Sequence, residues 1–309
     1  MTVNFTEVVT QMGVMLLIVA AGYAMRRFHW TDKSADGAFS QIIVRMTAPA
    51  LVFYGVVGNR EQLLSGSLPQ VVLAVGVTVL IAGLLAGLVF RGKKLRVEHR
   101  IVLRITTMFG NVSFLGIPLC YGLFGQEGLM YASLYAAAQD LLFWSLGVAM
   151  MGHGTAKLDW KRMINPSLVG ILLAALLVLT GIPVPEFLMK TASTVGAATL
   201  PLSLLVVGAG FHGVHLGRDT LRALLPVAGL KLVLVPAIMA VLLSLIPMAP
   251  VARAVLAMEI AMPSAAATVA LARTNGQDWQ YAAGAVMLTT LLSAVTVPLM
   301  VLLLNAVGG

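Results

Sequence analysis

Charged residues are scarce in this chain, and their scarcity excludes an ordinary water-exposed surface. Only 10% of the 309 residues are charged, whereas 59% are hydrophobic, and the mean hydropathy is +0.95. A typical soluble domain carries about 25% charged residues. No polar stretch is long enough to fold alone. We therefore expect an integral membrane protein built from membrane spans, without a soluble catalytic or DNA-binding domain.

Cysteine is almost absent, which excludes several kinds of site. Cys120 is the single cysteine, so the chain has neither an intramolecular disulfide nor a cysteine-cluster metal site. His212 and His215 are spaced like two metal ligands, but no third ligand lies near them in the sequence. HExxH and DDxxD-type motifs are missing as well. We expect no metal, no cofactor and no enzymatic activity.

Long apolar runs fill the chain instead, and they divide it into ten predicted spans. The spans cover roughly 7–25, 35–58, 69–90, 101–122, 129–151, 167–181, 188–211, 223–246, 252–272 and 280–304. Loops that follow odd-numbered spans hold 14 Lys and Arg residues, and the opposite loops hold 3. This asymmetry places the odd loops in the cytoplasm and both termini on the outer side. It also explains the net charge of +8 without a nucleic-acid partner.

The two halves of the chain resemble each other at a spacing of about 150 residues. The motif TAPALVF in span two matches TLPLSLL in span seven, and RIVLRITTMFGN in span four matches RAVLAMEIAMPS in span nine. GQEGLMYA before span five matches GQDWQYA before span ten. These matches occur in the same order, which favours an internal repeat over chance.

A repeat of five spans has a geometric consequence. Because five crossings are an odd number, the second copy enters the membrane from the opposite side. Residues 1–152 and 153–309 are therefore predicted to form two inverted five-helix repeats. Inverted repeats are a common architecture of secondary transporters.

Spans four and nine form a matched pair with helix-breaking residues near their centres. Gly110, Gly116 and Pro118 interrupt span four, and Pro263 interrupts span nine beside the small residues SAAAT. Such breaks are tolerated at membrane depth where they line a cavity or are buried in protein. In a single span a simple kink is the favoured interpretation; in a symmetric pair we favour a substrate site, where helix N-termini meet an anion. The candidate binding residues are Gly110, Asn111, Val112, Ser113, Pro118, Met262, Pro263 and Ser264.

Four ionisable residues are predicted at membrane depth. They are Arg45 in span two, Asp140 in span five, Lys231 in span eight and Glu259 in span nine. Each costs at least about 2.5 to 3.5 kcal/mol at the centre of a helix, so each needs a partner, water or a function. Asp140 and Glu259 are candidates for coupling to H⁺ or Na⁺, with Lys231 as a neutralising or anion-attracting group. Structural salt bridges between spans are the alternative, and the sequence leaves both open.

Three motifs carry a resemblance to a known family. GNVSFLGIPL, AMPSAAATVALA and GQDWQYAAG resemble those of a bacterial member of the auxin efflux carrier family, and the resemblance covers essentially the whole chain. It implies an all-α membrane protein with ten transmembrane helices in two inverted repeats, in which helices four and nine are broken and cross. This fold is similar to that of sodium/proton antiporters and bile acid transporters. The implied activity is transport of small organic anions, such as malonate, malate or auxin-like acids, by an elevator-type motion.

The resemblance also implies a division of labour between helices. Helices 1, 2, 6 and 7 would form a scaffold that dimerises in a bacterial inner membrane, and helices 3–5 and 8–10 a moving transport domain. The substrate carboxylate would lie at the crossing, beside Asn111 and Pro263, with H⁺ or Na⁺ as a coupling ion. Gly110 stands where plant members have proline, and TAPALVFYGVV offers no match to their acidic support site, so plant-type coupling does not transfer. An ion channel or a ligand-binding membrane sensor is the alternative function.

Overall fold

The computed structural model describes residues 4–64, 66, 68–91, 95–151, 166–214 and 216–307, and these residues form an all-helical protein. The main helices are α1 (Phe5–Arg27), α2 (Ser34–Gly58), α3 (Leu68–Arg91), α4 (Val97–Met108), α5 (Val112–Met151), α6 (Pro166–Thr180), α7 (Glu186–Gly210), α8 (Arg218–Ser244), α9 (Pro250–Ile260), α10 (Ala267–Thr274) and α11 (Trp279–Val307). Seven of them are long and apolar enough to cross a membrane: α1, α2, α3, α5, α7, α8 and α11.

The remaining predicted spans appear as shorter helices. α6, with 15 residues, lies at the predicted sixth span, 167–181. Predicted spans four and nine are each interrupted, because α4 and α9 have only 12 and 11 residues and are followed by non-helical backbone. The expected boundary between the repeats, at residues 152 and 153, lies outside the described residues, as does His215.

α5 is not one straight rod, because the chain reverses at Gly125. This glycine has φ 61° and ψ −144°, a conformation that other residues rarely adopt. Gln139 nonetheless hydrogen-bonds to Gly110, which precedes the start of α5. A straight helix would separate two such residues by about 40 Å. The part of α5 before Gly125 and the part after it therefore run back along each other, as separate predicted spans four and five require.

Three prolines inside the helices are accommodated by widened turns. A proline lacks a backbone N–H, and its ring collides with the carbonyl one turn earlier. Three of the described π-helical turns end two residues before a proline, so that the wider turn relieves this collision. The turns are Ile43–Thr47 before Pro49, Val112–Gly116 before Pro118, and Leu230–Leu234 before Pro236.

Two groups of helices pack tightly. In the first group, glycines bring backbones into contact: a Cβ on Gly208 of α7 would lie 1.8 Å from the carbonyl oxygen of Val19 in α1. Gly196 of α7 and Gly170 of α6 approach the backbone of α2 in the same way. The second group shares an apolar cluster from α3, α4, α8 and α11, formed by Ala86, Phe90, Leu103, Leu224, Val227, Leu230 and Ala285.

Candidate functional site

The two interrupted regions meet at a short antiparallel crossing. α4 ends at Met108 and α9 ends at Ile260, and the extended backbone that follows each helix pairs with the other. The Asn111 N–H donates to the carbonyl of Pro263 at 2.6 Å, and the Ala265 N–H donates to the carbonyl of Phe109 at 3.0 Å. The pairing is an isolated β-bridge centred on Gly110 and Ser264. It satisfies part of the backbone that the helix breaks release.

Neighbouring side chains satisfy the rest of the crossing. Gln139 of α5 donates from Nε2 to the Gly110 carbonyl at 2.8 Å and accepts from the Gly110 N–H through Oε1 at 3.1 Å. The Ser264 N–H donates to Thr289 Oγ1 of α11 at 3.0 Å, and Ser264 Oγ donates to the Thr106 carbonyl at 2.8 Å. Buried backbone groups without such partners would cost several kcal/mol each. Side chains from several helices therefore stabilise the crossing.

Asn111 differs from its neighbours because its side-chain amide nitrogen donates no hydrogen bond to the described residues. The residue is only 3% exposed, and Asn111 Nδ2 has no hydrogen-bond partner among the described residues. A buried donor left unpaired costs about 1–3 kcal/mol. α5 begins directly after Asn111 and α10 begins a few residues after Ser264, so two helix N-termini start at this point. Unpaired N–H groups and the positive end of the helix dipole suit a carboxylate.

Two small cavities lie close to the crossing, one beside Pro263 and the other beside the first turn of α5. The methionine cavity, of about 10 Å³, lies between α1, α5, α9 and α11 and is lined in part by Met12, Met15, Met262, Pro263 and Ser293. The polar cavity, of about 30 Å³, lies between α2, α5, α6 and α7 and includes Ser113, Ser133, Asp140 and Thr199. A single water needs about 10–15 Å³. Neither cavity admits an organic anion in this conformation.

A much larger open vestibule begins beside the methionine cavity. It has a volume of about 1110 Å³ and lies between α1, α7 and α11. Its walls are mostly apolar, and Arg27 and His212 lie at the ends of α1 and α7. Leu16 and Val19 line both the vestibule and the methionine cavity. Pro263 lines the methionine cavity on the other side of these two residues.

The predicted binding residues are mostly brought together. Gly110, Asn111, Pro263 and Ser264 form the crossing itself, and Met262 lies beside it in the methionine cavity. Val112 is the buried first residue of α5, and Ser113 lines the polar cavity.

Pro118 and Gly116 have roles other than the expected helix break. The backbone leaves helical geometry at Phe109, whereas Gly116 is helical and Pro118 is buried inside α5, outside both small cavities. Pro118 cannot donate to the carbonyl of Phe114, which instead accepts a hydrogen bond from Ser203 Oγ of α7 at 3.1 Å. A proline can thus be compensated without breaking a helix. Gly116 provides space, since a Cβ there would lie 2.0 Å from Glu259 Oε2.

The four ionisable residues are not one cluster. Lys231 and Glu259 lie beside the crossing, with exposed fractions of 1% and 0%. Lys231 Nζ donates to the Ile260 carbonyl at 3.4 Å, and neither carboxylate oxygen of Glu259 accepts a hydrogen bond from the described residues. Asp140 lines the polar cavity. Arg45 is exposed on α2 and lines neither small cavity.

Several neutral polar residues of the site were missed by the sequence interpretation. Gln139 and Thr289 hold the crossing, and Ser203 holds the carbonyl freed by Pro118. Thr199 and Ser133 place hydroxyl groups near the polar cavity, and these have no partner among the residues that the structure describes. The available signal was a polar residue within an apolar span. An amide buried in hydrocarbon needs partners as a charge does.

Comparison with known proteins agrees with a transport role. Residues 7–301 match a family described as "Membrane transport protein". An uncharacterized transporter of Methanocaldococcus jannaschii is 27% identical over 299 residues, covering 93% of this chain and 95% of that protein. An uncharacterized transporter of Methanothermobacter thermautotrophicus is 26% identical over 294 residues, covering 92% and 94%. These relatives are transporters and not enzymes. The chain is a multi-pass membrane protein that belongs to this membrane transport family, the auxin efflux carrier family.

Proposed function

We propose that the protein is a secondary active transporter of small organic anions that binds its substrate carboxylate at the crossing. The observation that carries the proposal is the buried Asn111 amide nitrogen, which lies at two helix N-termini and has no protein partner among the described residues. Carboxylates such as malonate, malate or auxin-like acids supply the acceptor that this donor lacks. Two small nearby cavities imply that the site widens when the substrate enters.

The proposal includes ten helices in two inverted repeats. The sequence match pairs Gly110 with Pro263 and Asn111 with Ser264, a constant offset of 153 positions. If a twofold axis relates the halves with that offset, Gly110 corresponds to Pro263 and Asn111 corresponds to Ser264. The bridge pair Gly110–Ser264 is then equivalent to the pair Pro263–Asn111, which lies next to it in the same crossing. Gln139 of α5 hydrogen-bonds to Gly110, and Thr289 of α11 hydrogen-bonds to Ser264. α5 and α11 end the first and the second half of the chain, so these two bonds also lie at corresponding places. This symmetry supports alternating access around one central site.

Helix packing supports an elevator-type motion. α1, α2, α6 and α7 are joined by glycine-mediated backbone contacts, which suit a rigid scaffold, and α3, α4, α8 and α11 share their own apolar cluster. We assign α3–α5 and α8–α11 to the transport domain. The scaffold would also carry the homodimer contact in a bacterial inner membrane. Arg45, exposed on α2 at membrane depth, would then gain protein or headgroup partners.

The vestibule supports an inward-facing conformation. It ends at Arg27 and His212, on the side that the basic loops assign to the cytoplasm. At the opposite end, Asn59, the residue after α2, donates from Nδ2 to the Gln126 carbonyl at 2.8 Å, and Gln126 Nε2 donates to the Tyr54 hydroxyl. The outer side is thereby closed between scaffold and transport domain.

Counterflow in proteoliposomes tests the proposal. Purified protein is reconstituted with unlabelled malonate, malate or indole-3-acetate inside, and uptake of the same labelled acid is measured. A carrier exchanges at least one organic anion with saturable kinetics. Conductance without saturation or counterflow would identify a channel, and binding without flux would identify a sensor. Either result, or no interaction with any organic anion, would overturn the proposal.

A further inference from the structure

Lys231 and Glu259 lie beside the crossing. The proposed binding of a carboxylate by Asn111 does not by itself explain why these two ionisable residues are there. Both are essentially inaccessible to solvent. Ionisable groups at such depth are costly, and they usually mark ion pathways or proton relays. The surroundings of each group are different and indicate what each one does.

Lys231 occupies a place suited to a bound cation. α4 and α9 both end at the crossing, and helix C-termini carry negative partial charge. Lys231 Nζ donates to the carbonyl of Ile260, the last residue of α9. It also lies 3.1 Å from the position of a Cβ on Gly110, just beyond the end of α4. The ammonium group therefore lies where it can neutralise the ends of two helices.

Glu259 is fully buried, in surroundings that do not stabilise a permanent negative charge. Gly116 packs against its carboxyl group, whose two oxygens accept no hydrogen bond from the described residues. The titratable side chains that act on it from neighbouring elements are Cys120 and Tyr135 of α5 and Lys231 of α8. A buried carboxylate stays ionised only with compensating partners, and it otherwise binds a proton.

We infer that Glu259 is the proton-binding group that couples transport, and that Lys231 is a fixed internal cation that replaces Na⁺. The inference rests on the proposed function. In the empty transporter, ionised Glu259 balances Lys231. When a carboxylate binds at Asn111, its charge balances Lys231 instead, and the Glu259 carboxylate takes up a proton to become a neutral carboxylic acid.

For a substrate bound as a monoanion, the net charge of the buried region is then zero in both the loaded and the empty states. A low-dielectric domain moves through the membrane most easily without net charge. The expected coupling is one proton per substrate monoanion, moved in the same direction as the anion.

Proton movement is measured beside counterflow in the same proteoliposomes, with a pH-sensitive dye trapped inside and sodium-free buffers. Malonate, malate and indole-3-acetate serve as probes. For the wild type, we expect uptake of an exchanging acid to acidify the lumen and to accelerate when the outside is acidic. For Glu259→Gln, which keeps the shape and removes the titration, counterflow persists, whereas pH-driven accumulation falls at least about tenfold, a loss equivalent to about 1.4 kcal/mol of driving force.

Glu98→Gln is the matched control, because Glu98 is exposed in the first turn of α4 and the same exchange there should change nothing. Proton-driven accumulation that survives in a folded Glu259→Gln variant, or a requirement for Na⁺, overturns the inference. If Glu259→Gln does not fold, proton movement is compared between the wild type and Glu259→Asp instead. Glu259→Asp should keep proton movement with an altered pH profile, and an unchanged profile would overturn the inference. Counterflow without any proton movement in the wild type overturns the coupling alone, whereas absence of all counterflow overturns the proposed function.

Discussion

At the scale of single residues, corresponding positions in the two halves have diverged in what their polar groups do. The sequence match between the two halves pairs Asn111 with Ser264, and both are buried at the crossing. The Ser264 hydroxyl is used within the protein, on the Thr106 carbonyl, whereas the Asn111 amide nitrogen has no partner among the described residues. Ser264 therefore helps to hold the crossing together, whereas the Asn111 amide nitrogen is the donor that the proposed substrate carboxylate would use.

Asn111→Ala should weaken substrate binding without unfolding the protein. Removing a hydrogen bond to a charged group costs about 1.5–3 kcal/mol, which corresponds to roughly 10- to 150-fold in affinity. Binding of the transported acid is measured by thermal shift or by the half-saturating concentration in counterflow. Ser264→Ala is the matched variant, and we expect it to lower the melting temperature because the Thr106 carbonyl loses a partner. Unchanged affinity in Asn111→Ala would place the substrate elsewhere.

Gly116→Ala should destabilise the protein, because the added methyl group would lie 2.0 Å from Glu259 Oε2. Overpacking of this kind costs about 1–3 kcal/mol. The same substitution at Gly76 of α3 meets no atom within 4 Å and serves as the control. Thermal unfolding in detergent compares the two variants. Equal melting temperatures would show that the Glu259 side chain moves aside freely.

At the scale of the elements, an interrupted helix in a membrane depends on its neighbours. Gly110 leaves helical geometry, and Gln139, on the returning part of α5, replaces the hydrogen bonds that a continuous helix would have made. Gly125 makes this possible, because its positive φ lets α5 turn back toward its own start. The break and the reversal are therefore parts of one arrangement.

Gln139→Leu should destabilise the crossing. The substitution leaves a buried N–H and a buried carbonyl of Gly110 without these partners, at about 1–3 kcal/mol for each group. Thr289→Val removes one bond, to the Ser264 N–H, and should cost about half as much. Melting temperatures and counterflow rates check both variants. A Gln139→Leu protein as stable and active as the wild type would contradict this account of the break.

At the scale of the whole molecule, the proposed scaffold and transport domain would be joined at one end and separated by the vestibule at the other. Asn59 and Tyr54 hydrogen-bond to Gln126 at the end that the proposed topology places outside. An elevator-type motion, as proposed, would have to break these hydrogen bonds before the outer side opens.

Asn59→Ala should shift the population toward the outward-facing conformation. Loss of the Gln126 contact removes about 1 kcal/mol from the inward-facing state, a several-fold change in population. The readout is alkylation of Leu16→Cys, on the vestibule wall, in a Cys120→Ala background by a membrane-impermeant thiol reagent. Labelling from the vestibule side should slow in Asn59→Ala. Glu98→Cys, at an exposed helix start, should label equally in both backgrounds, and equal labelling of Leu16→Cys would argue against this outer closure.

The sequence alone determined the membrane class, the family resemblance and the places of the two breaks, because composition, apolar runs and helix-breaking residues are local properties. It also predicted most of the crossing, since Asn111 and Pro263 lie at the breaks themselves. Only the tertiary structure decided which side chains hydrogen-bond to the residues of the crossing. Gln139 meets Gly110 across 29 residues, and Ser264 meets Thr106 across 158. Such contacts depend on how helices pack and rotate against each other, and hydropathy fixes neither.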